Sequence, residues 1–156
     1  RESLSFFADV KSDAAPLNHL IANVVQAAPD VRCFRDPTRG GLASTLNELA
    51  AQANVDITID EAAVPVLDAV RGACEMLGYD VMQVANEGKM VCVVPAAQAQ
   101  AALDAMRAST YGENAAIIGE VTPSTEDRGN KVFLRTAFGS TRVLDMLVGE
   151  QLPRIC

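Results

Sequence analysis

The chain has 156 residues, enough for one domain with a hydrophobic core and too few for two full ones. Apolar residues make up 49% of it but aromatics only 4%, so the core is expected to be aliphatic, and no apolar run approaches the roughly 20 residues of a membrane-spanning helix. A net charge of −7, with no cluster of Lys or Arg, argues against a nucleic-acid partner.

The N-terminal "RESLSFF" runs at once into Asp9, Lys11 and Asp13, which is not the pattern of a signal peptide. The chain opens on Arg-Glu with no Met, and Leu4–Val10 reads as a strand already under way, so a fragment of something longer is expected. In "SDAAPLNHLIANVVQAA", Ser12 and Asp13 are candidate caps, Pro16 suits a first turn, and Leu17, Leu20, Ile21, Val24 and Val25 recur at helical spacing. Pro29 should end that helix. "VRCF" (Val31–Phe34) predicts a short strand, "RDPTRGG" a loop, and "GLASTLNELAAQA" a helix with Leu42, Leu46 and Leu49 along one side. "VDITI" alternates as a half-buried strand does. "PVLDAVRGACEMLG" predicts a helix closed by Gly78 as a C-cap.

Two further β runs are expected at "VMQVA" and "KMVCVV", separated by "NEG". "PAAQAQAALDAMRAS" predicts a helix entered through Pro95, and "AAIIGEV" and "KVFLRTA" predict strands on either side of the polar turn "PSTEDRGN". "STRVLDM" leads into the tail. Helices and strands alternate through most of the chain, but strands double up around 81–94 and near the end. An α/β (α+β) layer fold with a mixed sheet follows, as one domain over residues 1–148 with a mobile tail over 149–156.

Of the four cysteines, Cys33, Cys74 and Cys92 lie in apolar runs and are expected to be buried and reduced, which suits the cytoplasm. No C-x-x-C pair exists and His19 is the single histidine, so no metal site is expected and His19 is assigned no role. Three stretches have the residue types for chemistry. "DPTRGG" (Asp36–Gly41) runs from a strand into a helix; it reads as a tight turn with a solvated arginine, or as a phosphate cradle built from glycine backbone, helix N–H groups and the Arg39 fork. "ANEGK" reads as an ordinary turn with Gly88 at positive φ, or as a loop holding Glu87 beside Lys89 for proton transfer. The tail "QLPRIC" ends on Cys156, and the seven residues after Gly149 could span about 23–25 Å when extended. Its thiol, at an ordinary pKa near 8.5, suits a carrier loaded elsewhere better than a self-sufficient nucleophile.

The stretches "SDAAPLNHL", "RDPTRGGLASTLNELA", "AVPVLDAVRGACEMLG", "ANEGKMV", "AAIIGEV" and the terminal "PRIC" together resemble the C-terminal half of the HypE family of hydrogenase expression/formation proteins. That family sits in the superfamily typified by aminoimidazole ribonucleotide synthetase and selenophosphate synthetase. The resemblance implies that Cys156 carries a carbamoyl group loaded by a partner carbamoyltransferase. ATP then dehydrates it to a thiocyanate, whose cyano group passes to iron on a scaffold complex. It implies Asp36, Thr38, Arg39, Gly40 and Gly41 as the phosphate loop, Glu87 as the base and Lys89 as a stabiliser of developing charge. It also implies a homodimer, and ATP and Mg2+ held mainly by an N-terminal domain that this sequence does not contain, so the chain alone is expected to be inactive. Two other readings stay open: another ATP-dependent enzyme of the superfamily, and a non-catalytic module that presents the tail.

Overall fold

A computed structural model describes residues 11–125 and 129–146. The best-formed unit is a helix laid on a four-stranded sheet. Helix α2 (Gly41–Ala53) follows strand β1 (Cys33–Arg35) and starts after Gly40, whose φ of 61° is open to glycine at little cost. Ala43, Leu46 and Ala50, at helical spacing, form its buried face. Asn54 closes it in a left-handed conformation and turns the chain directly into β2 (Val55–Asp60).

Strand β2 is central in the sheet, whose order is β4 (Gly119–Pro123), β2, β5 (Val132–Arg135), β6 (Thr141–Val143). It runs antiparallel to β4 and parallel to β5, and β6 returns antiparallel to β5, so the sheet is mixed as expected. The parallel register pairs Ile57 with Val132 and Ile59 with Leu134. All four side chains are buried beneath Ala43, Leu46 and Ala50, with Met82 and Leu144 completing the cluster. The alternation read in "VDITI" is this geometry: Ile57 and Ile59 share the α2 face.

A second, smaller layer pairs helices α1 (Asn18–Ala27) and α4 (Ala99–Arg107) over a two-stranded ribbon of β1 and β3 (Val91–Val93). Leu20, Val24, Ala28 and Ala102 form its core, with Phe34 and Cys92 of the ribbon packed beneath. Helix α3 (Asp68–Leu77) ends where expected, with Gly78 at φ 70° accepting the C-cap role. It lies at the surface, leaving Leu67 and Met76 exposed.

Four expectations require correction. "VMQVA" is not a strand: Val81–Gln83 form a 3₁₀ turn in which the Met82 N–H is met by the Asp80 side chain. Helix α1 starts at Asn18, with Leu17 at its N-cap, so neither Ser12 nor Asp13 caps it. The strand expected from Ala115 begins only at Gly119. Of the three cysteines expected to be buried, Cys74 is, whereas Cys33 and Cys92 are half-buried on the ribbon. The strand expected at Leu4–Val10, the domain boundary at 148 and the tail lie outside the described residues.

Candidate functional site: two loops meeting at the start of a helix

The loop between β1 and α2 is organised around Asp36. Thr38 donates its hydroxyl hydrogen to the Asp36 carboxylate (Oγ1 to Oδ2, 2.9 Å), and the buried Thr45 of α2 donates to the Asp36 carbonyl at 3.2 Å. The Thr38 hydrogen bond, helped by Asp36's own backbone and by the nearby Arg35 and Arg39 charges, holds the carboxyl below its ordinary pKa. Arg35 is engaged by Glu48 of α2. Arg39 is exposed and takes part in none of the described ion pairs, so its guanidinium is available to an incoming anion.

Helix α2 begins without a side-chain cap and without an acidic residue in its first turn. Its leading N–H groups therefore present partial positive charge with no competing carboxylate on the helix itself. Gly41, at φ 63°, is buried for a reason the sequence could not reveal. A Cβ there would stand 2.6 Å from the carbonyl oxygen of Val84 and 2.7 Å from that of Met82. The close approach that Gly41 permits is to the chain's own second loop.

That second loop carries Glu87 and Lys89. The Asn86 N–H donates to the Pro37 carbonyl at 3.0 Å, stitching the two loops together through the backbone. The Asn86 side chain donates to the Val84 carbonyl at 2.8 Å and accepts from Lys89 Nζ at 2.8 Å, so Lys89 is folded back over the loop. The Glu87 N–H donates to Asp13 Oδ2 at 2.9 Å, and Gly88, at φ 55°, is pressed against the same segment. A Cβ on Gly88 would meet the Asp13 carbonyl oxygen at 2.0 Å. Glu87 is half-buried, and its carboxylate takes part in none of the described ion pairs.

Three segments thus converge: residues 12–15, the Asp36–Gly41 loop at the head of α2, and the 82–89 loop. The structure brings Asp36, Thr38, Gly40 and Gly41 to the same end of the molecule as Glu87 and Lys89, while Cys156 lies outside the described residues. The connecting residues Asp13, Pro37 and Asn86 went unread in the sequence as parts of a site. Asp13 carried a signal, a short polar residue before an apolar run, but that signal is shared with helix caps. Among the described residues, no group of three or more His, Cys, Asp or Glu side chains could hold a metal ion.

Comparison with known proteins gives the chain its family. The chain is 53% identical, over all 156 of its residues, to the carbamoyl dehydratase HypE of Cupriavidus necator, and covers 44% of that protein. Among solved structures it is similar to a hydrogenase maturation protein HypE in complex with ATP, with a TM-score of 0.90, 47% identity, and coverage of 98% of this chain and 46% of that one. It is also similar to a chain of a HypE–HypF complex, with a TM-score of 0.85, 40% identity, and coverage of 92% and 46%. The chain therefore spans less than half the length of the proteins it matches. Residues 2–131 match the C-terminal domain of AIR synthase related proteins, and the chain belongs to that family.

Proposed function

We propose that this chain is the C-terminal part of an ATP-dependent carbamoyl dehydratase of hydrogenase maturation, which turns a carbamoyl group on the Cys156 sulfur into a thiocyanate. The observation that carries the reading is the junction of the two loops. The Asn86–Pro37 main-chain bond and the Gly41–Val84 contact hold the Glu87 loop against the uncapped start of α2. A phosphate-binding feature and a proton acceptor belong together in this chemistry. An amide oxygen is a poor leaving group until it is phosphorylated; it then departs as phosphate while the nitrogen gives up its two protons. The net change is thiocarbamate plus ATP to thiocyanate, ADP, phosphate and one proton.

The described residues fit an anionic phosphate: a helix start with no side-chain cap bond and no acid in its first turn, and the exposed Arg39 fork, which takes part in none of the described ion pairs. ATP would supply the phosphoryl group, with Mg2+ and most nucleotide contacts contributed by the N-terminal part of the full-length homodimer. Glu87 would accept the amide protons, which general-base catalysis requires within hydrogen-bond reach of the tail. Lys89, held by Asn86, would offset charge as the oxygen leaves. HypF, the partner in the solved complex, would load the tail, and an iron-carrying scaffold would take the cyanide.

Intact mass spectrometry with tail-peptide mapping tests this. The full-length protein is incubated with HypF under carbamoyl-loading conditions and then with ATP. A carbamoyl gain on Cys156, followed by loss of one water, is expected in the wild type. A Glu87→Gln protein should load normally and lose water more slowly by about 10²–10⁴-fold. An unmodified Cys156 would leave only an ATP-using relative of other substrate, or a module that presents its tail.

A further inference from the structure

The last described residues before the tail are clamped to the same helix that follows the Asp36–Gly41 loop. Asn47 lies on α2 six residues after its first residue, Gly41, and so about 9 Å along the helix axis. Its side-chain amide donates to the Leu144 carbonyl at 2.7 Å and to the Ala43 carbonyl at 2.9 Å. Both acceptors are carbonyl oxygens, which settles the orientation of the amide. Leu144 is fully buried and its N–H donates to the Val132 carbonyl at 2.8 Å. Two residues earlier, Arg142 pairs with Asp80 at 2.9 Å, and the other oxygen of Asp80 accepts the Met82 N–H at 3.0 Å, at the root of the Glu87 loop.

An interior helical Asn is an unfavourable choice for the helix itself, because its amide competes with the backbone. Here the competing bond reaches across 97 positions of sequence to the base of the tail. We infer that Asn47, seconded by the Arg142–Asp80 pair, is a positioning residue that sets where the tail departs relative to the loop junction. This inference rests on the function proposed above. Twelve residues follow Leu144, the last of them Cys156, and they can span at most about 40–43 Å. The anchor at Asn47, only about 9 Å from the start of α2, puts that junction well within the tail's reach. The effective concentration of a tethered group falls roughly as the −3/2 power of tether length, so freeing the chain back to Ser140 dilutes the thiocarbamate by only about 1.5-fold. Misplacement of a bound group by about 1 Å can cost about a hundredfold.

The test is a single-turnover measurement, in the full-length protein, of ATP-dependent water loss from carbamoylated Cys156. Asn47→Ala is expected to slow it about tenfold, between the dilution and misplacement limits. Carbamoyl loading and the ATP concentration giving half-maximal rate should both stay at wild-type values. Arg142→Ala, at an exposed pair that the fold can spare, should slow it in the same sense, and Arg142→Lys should keep the wild-type rate. Unchanged rates in Asn47→Ala and Arg142→Ala would overturn the inference, as would a rate loss matched by weaker use of ATP. If Asn47→Ala does not fold, the Arg142 variants decide. A wild-type Cys156 that never takes up a carbamoyl group would overturn the proposed function and this inference together.

Discussion

Single residues divide sharply in how far the sequence exposes them. Gly78 and Gly88 stand where a helix end and a turn need positive φ, and both adopt it. Gly41 reads in the sequence as part of a tight turn or of a phosphate cradle, and its missing Cβ makes room for the carbonyls of Met82 and Val84. That distinction depends on which remote backbone folds beneath the helix, and no local pattern encodes it. The consequence is testable. Gly41→Ala should destabilise the fold by about 2–4 kcal/mol, combining a left-handed alanine with an overpacked contact. Urea unfolding measures this, and a change under about 0.5 kcal/mol, the range of an ordinary surface substitution, would contradict the packing described here.

Among the elements, those built on long periodic patterns were legible, and of the short apolar runs "VRCF", "KMVCVV" and "KVFLRTA" hold strands whereas "VMQVA" does not. Helix α2 occupies the span read from its leucines, and β2 the span read from its alternation. "VMQVA" failed because a short apolar run has no distinguishing period, and Asp80 captures it into a 3₁₀ turn. The first helix begins late because Asp13, read as its cap, is engaged with the Glu87 N–H instead. The β1–β3 ribbon carries a prediction of its own. Burial, with a smaller contribution from Cys33, pushes the Cys92 thiol from 9.0 up to about 11. Between those values the unfolded chain has shed its thiol proton while the folded chain keeps it. The stabilisation is thus complete below pH 9.0 and is lost as pH rises through about 11. Unfolding free energies measured across that window should fall with pH in the wild type and fall less steeply in Cys92→Ala. Equal slopes would place Cys92 in solvent.

At the scale of the whole molecule, two layers meet so that their loops share one end. The sheet layer contributes the head of α2 and the root of the tail, and the ribbon layer leads into and out of the 36–41 and 82–89 loops. The sequence disclosed the candidate chemical groups, including Asp36, Arg39 and Glu87, but not the backbone bond from Asn86 to Pro37 that makes them neighbours. Pairings between residues tens of positions apart are decided by the tertiary fold. In the proposed function, the amide oxygen on the tail leaves as phosphate at this junction. The measurement that tests it most directly begins with a heavy-oxygen label in the carbamoyl group on Cys156 of the full-length protein. ATP is then added, and the released phosphate is analysed by mass. The label should appear in phosphate in step with thiocyanate on Cys156. Thiocyanate formed with unlabelled phosphate and labelled water would contradict the account.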